Sequence, residues 1–132
     1  MPAEAFVDTN VLVYLTSDGA KASLAETLIA DGGTISVQVL NELTAVLRRK
    51  YGYSWQEIRE ILMFLRGLLK VVPLTIDTHE LGLSLAERYQ LRIYDALLLA
   101  AALEAGCTGF LSEDMHHGLV VEGQLTIRNP FA

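Results

Sequence analysis

The sequence predicts an α/β domain with a short central parallel sheet, and two observations support this prediction. Short β-type runs alternate with longer runs of helical periodicity, which is typical of parallel strands joined by helical crossovers. The 132 residues are 52% hydrophobic and 20% charged, which is enough apolar material for one core. We therefore expect residues 1–132 to form one α/β domain.

The first half of the chain alternates between these two patterns without a repeat or a linker-like stretch. Its first run, AFVD, is typical of the end of a buried strand, and Gly32-Gly33 stops the helix that follows. Leu40, Leu43 and Leu47 then mark one face of a second helix. The elements predicted here are a strand at 5–8, a helix at 21–31, a strand at 34–37 and a helix at 39–50.

The second half continues the alternation, with clearer signals for the starts of its helices. Ser54 and Glu57 form a capping-box pattern, and Asp77 with Glu80 indicates another helix start. Asp18 is likewise interpreted as a helix cap. The elements predicted here are helices at 54–69, 77–89 and 94–105, and strands at 71–74, 109–112 and 125–128.

The charge and the cysteine count limit the possible classes of function. The formal net charge of −6 argues against a protein that holds nucleic acid by bulk electrostatics. It leaves a nuclease possible, because a cation bound to clustered carboxylates reverses the local charge. No apolar run reaches the roughly 18 residues of a membrane span, and residues 1–8 lack the basic region of a secretory signal. With Cys107 as the single cysteine, we expect a cytoplasmic protein without a disulfide.

Two acids follow predicted strands. Asp8 lies between two apolar runs, where a carboxylate is costly to desolvate unless a partner is near. Asp114 comes just after the strand predicted at 109–112. Sites in parallel sheets form at the carboxyl ends of the strands, so both acids lie where a site is expected. The alternative is that each acid caps a short helix or turn, a role that Asp8 would share with Asn10.

Two further acids begin helices. Glu42 lies beside the apolar face of the helix at 39–50, near its N-terminus, where the helix dipole alone favours a carboxylate. Asp95 opens the most apolar helix of the chain, so we expect it to be buried and paired with Arg88 or Arg92. Each can be an ordinary helix-start residue, but with Asp8 and Asp114 they predict an acidic cluster at one sheet edge.

Such a cluster predicts a metal site. Carboxylates brought together raise one another's pKa unless a cation lies between them. Carboxylate oxygens suit Mg²⁺ or Mn²⁺ better than zinc. A pocket of this kind can also hold a water molecule positioned to attack a phosphate.

Four segments of the chain, taken in order, resemble the PIN-domain family, and the resemblance extends over nearly the whole chain. Each segment is weak by itself, but all four at suitable spacing are specific. The ending IRNPF also resembles bacterial toxin members of the family. The four segments are FVDTNVLVY with Asp8 and Asn10, SVQVLNEL with Glu42, YDALLLAAALEAG with Asp95, and FLSEDM with Asp114.

The resemblance implies a three-layer α/β/α fold and an endoribonuclease that depends on Mg²⁺ or Mn²⁺. Its catalytic acids would be Asp8, Glu42, Asp95 and Asp114, and all but Glu42 are expected as metal ligands. Asn10 would help to orient Asp8. It also implies a tendency to form homodimers and, in the VapC-type toxin branch, an antitoxin that covers the active site.

The remaining residues of interest have ordinary structural interpretations beside any functional ones. Ser112 is a candidate supporting residue, and Glu113 is a weaker candidate than Asp114. The candidates for contact with RNA or an antitoxin are Arg92 and the run Arg48-Arg49-Lys50, although cations at a helix end are favoured by the dipole alone. His116 and His117 are expected in a solvated loop, and Cys107 as a buried small residue. The side chains expected in the core of the middle helices are Trp55, Phe64, Leu65 and Leu68.

Two other functions remain open from the sequence. The first is a phosphoryl-transfer enzyme with Asp8 as nucleophile, although Asn10 stands where such enzymes usually carry a second Asp. The second is a non-catalytic binding module of PIN-like fold, which predicts no metal binding at the acidic pocket.

Overall fold

The computed structural model describes residues 5–132, and in that range it contains six strands and six α-helices. The expectation that no secretory signal begins the chain falls in part on residues 1–4, which lie outside the described residues. The strands are β1 (Ala5–Val7), β2 (Thr34–Ser36), β3 (Lys70–Val72), β4 (Gly109–Leu111), β5 (Val120–Val121) and β6 (Leu125–Arg128). The helices are α1 (Thr9–Val13), α2 (Ala20–Ile29), α3 (Val37–Arg49), α4 (Trp55–Leu68), α5 (Ile76–Tyr89) and α6 (Ile93–Glu104).

The six strands form one sheet in the order β3-β2-β1-β4-β6-β5, and only β5 runs antiparallel to its neighbour. The predicted α/β class with a central parallel sheet is confirmed. β1 lies between β2 and β4, and Val7 is in register with Leu111. The residues that follow these strands, Asp8 and Ser112, therefore emerge side by side at the same edge of the sheet.

The interior explains why these short strands hold their positions. Phe6 and Phe110 are fully buried, and their rings stack with centroids 5.2 Å apart across β1 and β4. Every residue of α6 from 96 to 102 is buried, as its apolar sequence predicts. α5 packs closely on α6, because a Cβ on Gly82 would come within 2.6 Å of the Leu97 side chain. This packing fixes the N-terminal end of α6, which carries Asp95.

The helix starts correct two predictions. Thr75, and not Asp77, is the N-cap of α5: its hydroxyl accepts from the Thr78 amide at 3.2 Å, and the Thr78 hydroxyl accepts from the Thr75 amide at 3.1 Å. Asp77 is in the first turn instead. At α2 the N-cap is Gly19, with φ of +109°, so Asp18 lies one residue too early. The capping box of Ser54 and Glu57 is confirmed.

The alternative that Asp8 caps a short helix is confirmed, since Asp8 is the N-cap of α1. The two-residue strand β5, which pairs with β6, was not predicted, and two side chains lie elsewhere than expected. Leu65 is buried as expected, but Trp55 and Phe64 are 52% and 62% exposed, because α4 turns them to the surface. Across residues 5–132, none of the helices combines the length and the apolar character needed to cross a membrane.

Candidate active site

All four predicted acids line one open pocket of about 570 Å³. Asp8 follows β1 and Asp114 follows β4, while Glu42 projects from α3 and Asp95 from the start of α6. The four acids therefore share one pocket at the carboxyl edge of the sheet, but within residues 5–132 they do not form the close acidic cluster that the sequence predicted. Lys50, Tyr51 and Arg92 line the same pocket.

Asp8 is the buried centre of the pocket, with 6% of its surface exposed. One carboxylate oxygen, Oδ1, accepts from the Thr9 amide at 2.7 Å, which also makes Asp8 the N-cap of α1. The other, Oδ2, accepts from the Ser112 hydroxyl at 2.9 Å and lies 3.3 Å from Asn10 Nδ2. All three donors are neutral, and no basic side chain in residues 5–132 forms an ion pair with this carboxylate.

Burial raises the pKa of Asp8 from 3.8 to about 6, because desolvation disfavours the charged form. The hydrogen bonds from Ser112 and from the Thr9 amide lower this pKa and partly offset burial. The charges of Glu42 and Asp95 raise it further. A bound cation would remove this penalty, because it would stabilise the ionised carboxylate.

Asn10 and Ser112 connect Asp8 to the loop that carries Asp114. Asn10 Nδ2 lies 3.2 Å from Ser112 Oγ and 3.2 Å from Asp114 Oδ2, and its Oδ1 accepts from the Glu113 amide at 3.0 Å. Ser112 is fully buried, and its Oγ also lies 3.3 Å from the Asp114 amide nitrogen. Both predicted supporting residues therefore contact Asp8, and they tie β1 to the loop after β4.

Glu42 is held by two residues that the sequence did not single out. The Thr9 hydroxyl donates to Oε1 at 2.8 Å, and Gln38 Nε2 donates to Oε2 at 2.9 Å. Gln38 Nε2 also lies 2.9 Å from the Tyr94 carbonyl oxygen, which links α3 to the start of α6. The signal for Gln38 was available, because residues four apart on a helix are neighbours. Thr9 is brought in only by the tertiary fold.

Asp95 is less buried than expected. Its side chain is 27% exposed, and Oδ2 lies 3.2 Å from Arg92 Nη2. Arg92 is therefore the predicted partner, while Arg88 pairs with Glu122 across the molecule. The expectation of burial was wrong because the buried part of α6 begins one residue later, at Ala96.

Asp114 is exposed at the pocket rim, and its neighbour Glu113 faces a different set of partners. Glu113 accepts from Lys21 Nζ at 2.6 Å and from the Tyr14 hydroxyl at 2.6 Å. These two hydrogen bonds lower the pKa of Glu113. Glu113 is thus an ion-pair residue, whereas Asp114 is aimed at Asn10.

The acids share a pocket without forming a closed ligand group. Within residues 5–132, no three acidic, histidine or cysteine side chains are close enough together to hold a metal ion. Asn10 lies between Asp8 and Asp114, and Arg92 holds Asp95.

The predicted arginines divide between the pocket and the surface beside it. Arg92 lines the pocket, but Arg48 and Arg49 do not. Arg48 donates to the Tyr53 carbonyl oxygen at 2.9 Å and lies over the Trp55 ring, 4.8 Å from its centroid. Arg49 is exposed in the last turn of α3. Of the predicted run Arg48-Arg49-Lys50, only Lys50 lines the pocket, together with Tyr51, which the sequence did not indicate.

The two histidines are exposed in the loop after Asp114, as expected. His117 Nδ1 accepts from the Asn129 amide at 2.8 Å, so this side chain fixes the C-terminal segment. Neither His116 nor His117 is among the residues that line the acidic pocket.

Comparison with known proteins identifies the family and the fold. The sequence profile of the PIN domain matches residues 5–118. No curated protein sequence matches the chain. Several solved structures resemble its fold, among them the following three. A toxin–antitoxin complex from Klebsiella pneumoniae has a TM-score of 0.73 and 22% identity, covering 96% of this chain and 97% of that chain.

Two further structures of similar fold match most of this chain. One is VapC20 from Mycobacterium tuberculosis, a toxin that cleaves the sarcin–ricin loop, with a TM-score of 0.67 and 23% identity. Coverage is 80% of this chain and 86% of that one. The other is VapBC2 from Rickettsia felis, bound to a DNA fragment from its promoter, with a TM-score of 0.67 and 16% identity. Here 95% of this chain and 98% of the other chain are covered.

Proposed function

Because the chain belongs to the PIN-domain family, we propose that it is a metal-dependent endoribonuclease that cleaves RNA phosphodiester bonds. One observation carries the proposal. Asp8 is a buried carboxylate held only by neutral donors, and Glu42, Asp95 and Asp114 line the same open pocket. If Asp8 were only structural, we would expect a cationic side chain to pair with it. We would also expect no other acids beside it, because they make its burial more costly.

The donor types of the pocket fit a divalent cation, although the carboxylates would have to move closer together to bind it jointly. The donors are carboxylate oxygens, which Mg²⁺ and Mn²⁺ prefer, and the pocket is open to solvent. Asp8, Asp95 and Asp114 would hold the ion, and it would polarise a phosphoryl oxygen and lower the pKa of a water molecule.

The chain's own residues provide orientation and proton handling. Ser112 and Asn10 fix the direction of Asp8 Oδ2, so this oxygen keeps one position in the pocket. Thr9 and Gln38 hold the two oxygens of Glu42. Glu42 remains an acceptor in this arrangement and is the group we assign to orient the attacking water and receive its proton.

We also propose that the protein is the toxin of a toxin–antitoxin pair. Two of the similar structures are a toxin–antitoxin complex and a VapBC pair, and the third is a VapC toxin. An apolar groove of about 750 Å³ lies between α2 and α4 and includes Ile61 and Phe64. Its rim carries Glu26, Glu57 and Glu60, so we assign this groove to an apolar antitoxin segment flanked by basic residues.

The partner proposal is tested with the product of a short reading frame directly upstream, if the gene has one. The two proteins should co-purify, and the complex should cleave RNA more slowly than the free protein. Phe64→Glu should weaken the complex, because a charge would be placed in the apolar groove, while cleavage by the free protein stays unchanged. If Phe64→Glu binds the partner with parental affinity, this placement is contradicted.

Three further expectations stay predictions. They are the contacts of Arg48 and Arg49, the homodimer and the cytoplasmic location.

The nuclease proposal is tested by cleavage of RNA in Mg²⁺ or Mn²⁺ with and without EDTA. Calorimetry with Mn²⁺ supplies an independent readout, in which the parent binds the ion while Asp95→Asn and Asp114→Asn bind it weakly. Glu80→Gln is a matched control, since Glu80 is an exposed acid outside the pocket. Cleavage that persists in EDTA would overturn metal dependence. An absence of Mn²⁺ binding would favour the non-catalytic module, and phosphate trapped on Asp8 would favour the phosphoryl-transfer enzyme.

A further inference from the structure

The acidic pocket has a rim of cationic and aromatic side chains that the proposed chemistry does not use. α3 ends at Arg49, and the next two residues, Lys50 and Tyr51, line the pocket together with Arg92. Gly52 follows with φ of +67°, a left-handed conformation that turns the chain away towards α4. The two side chains are thereby left at the mouth of the pocket. We call Lys50, Tyr51 and Arg92 the pocket rim.

Charge is the first reason to assign the rim to substrate. Four acids in one pocket repel a phosphodiester, so a substrate that approaches Asp8 needs cations beside it. Arg92 is occupied by Asp95 at 3.2 Å. Lys50 has no ion pair with any carboxylate in residues 5–132, so it is the pocket-lining cation that is available to a phosphate.

The exposed ring is the second reason. Tyr51 is 45% exposed, and the hydrophobic core does not include it. Lys50 Nζ lies 5.6 Å from the centroid of this ring. An aromatic face beside a cation matches the repeating unit of a single strand, in which each phosphate is followed by a base that can stack. Paired bases are stacked inside a duplex and cannot use such a face.

We propose that Tyr51 stacks on an unpaired base of the RNA and that Lys50 binds an adjacent phosphate, which makes these two residues the substrate-positioning contacts of the pocket rim. This inference rests on the proposed ribonuclease function for its biological meaning. The binding it describes can be measured without cleavage. It also replaces Arg48, which is engaged by Tyr53 and Trp55, as the main cationic contact near the scissile bond.

The test measures affinity in the full-length Asp8→Asn protein by fluorescence anisotropy, with a labelled single-stranded RNA and the same strand annealed to its complement. Tyr51→Ala should weaken single-strand binding by about tenfold or more, since stacking on one aromatic ring has that magnitude. Tyr51→Phe should bind like its parent because the ring is kept. Neither change should affect the weaker binding of the duplex.

The lysine is tested through salt dependence. Lys50→Ala should weaken binding and reduce the slope of log K against log salt by about 0.7, which corresponds to one phosphate contact on a single strand. Lys70→Ala is the matched control, because Lys70 is exposed on the edge strand β3 and does not line this pocket. It should leave the slope unchanged. Circular dichroism of each variant confirms that it is folded.

The outcomes separate this inference from the proposed function. If the parent cleaves RNA while Tyr51→Ala retains full affinity and an unchanged KM, the rim proposal is overturned and the nuclease stands. If Tyr51→Ala loses single-strand affinity but the parent never cleaves RNA, the rim proposal holds and the nuclease fails. Equal weakening of duplex and single-strand binding would overturn the assignment to stacking. Loss of antitoxin binding with full RNA affinity would assign the rim to a protein partner and also overturn it.

Discussion

Asp8 and Glu113 both contact Asn10, yet their surroundings have opposite effects on the two carboxylates. Asp8 is buried, accepts hydrogen bonds from neutral groups, and has a pKa raised to about 6. Glu113 is partly exposed, accepts from Lys21 and Tyr14, and has a lowered pKa. The ammonium of Lys21 also lies over the rings of Tyr14 and Phe131, 4.9 and 5.4 Å from their centroids.

The difference supports the proposal that Glu113 is a structural acid and Asp8 a functional one. Glu113 has its cation within the protein, so its charge is already balanced and it ties the loop after β4 to α2. Asp8 is desolvated beside further acids and lacks a cation, an arrangement that costs free energy in folding. Groups with pKa values shifted by burial and by neighbouring charges are concentrated at functional sites. The following predictions test this contrast.

Asp8→Asn should have the largest effect, a loss of at least about 100-fold in the rate of RNA cleavage, because a central ligand would be removed. The measurement is single-turnover cleavage of RNA in excess Mn²⁺. Glu113→Gln is the matched comparison and should stay within about threefold of the parent. Equal losses in the two variants would show that the contrast between the acids has no functional meaning.

The stability difference between the parent and Asp8→Asn should change with pH by about 3 kcal/mol, which corresponds to the shift from 3.8 to about 6. The folded pKa is raised, so the stabilising contribution of the neutral acid is present below about pH 4. It is lost as the pH rises through about 6. Asp8→Asn should therefore become the more stable protein near neutral pH.

Urea unfolding of both proteins from about pH 4 to about pH 8 measures this difference in free energy. Saturating Mn²⁺ at neutral pH should stabilise the parent and leave Asp8→Asn nearly unchanged, since only the parent retains the ion's central ligand. A pH-independent difference in stability would contradict the assignment of the raised pKa to Asp8.

Ser112→Ala should destabilise the protein by about 1–3 kcal/mol, because a buried carboxylate would lose a hydrogen-bond donor. The pKa of Asp8 should rise further, since this bond lowers it. The pH at which Mn²⁺ binds half-maximally should shift upward with it. Ser112→Thr retains the hydroxyl and serves as the control. If Ser112→Ala binds Mn²⁺ with the parental pH profile, Ser112 does not tune Asp8.

Lys21→Met should have the smallest effect on the free energy of unfolding, because exposed ion pairs contribute little. The pKa of Glu113 should move up towards its ordinary value when its cation is removed. Chemical denaturation and NMR titration of the Glu113 carboxyl measure the two quantities. A large loss of cleavage in Lys21→Met would mean that the Glu113 cluster positions the site, and the contrast with Asp8 would then fail.

Local sequence was sufficient for the alternation of elements and for the identity of the four acids. Helical spacing and capping patterns placed α3, α4 and α6 within a few residues, because these signals depend on neighbours in the chain. The two helix starts that were wrong, at α2 and α5, depended on a glycine conformation and on a reciprocal threonine pair. An acidic residue near a helix start does not show whether that residue or a neighbouring Gly or Thr is the N-cap.

The sequence by itself determined the α/β class and predicted the four acids that line the pocket, since both follow from residue types at short spacing. Only the tertiary structure decided how each acid is held. The register of β1 and β4 brings the Ser112 hydroxyl within hydrogen-bond distance of Asp8. The approach of α1 to α3 does the same for Thr9 and Glu42. The end of α3 brings Lys50 and Tyr51 to the pocket. These contacts join residues far apart in the chain, and their electrostatic effects depend on burial and distance, which no local pattern records.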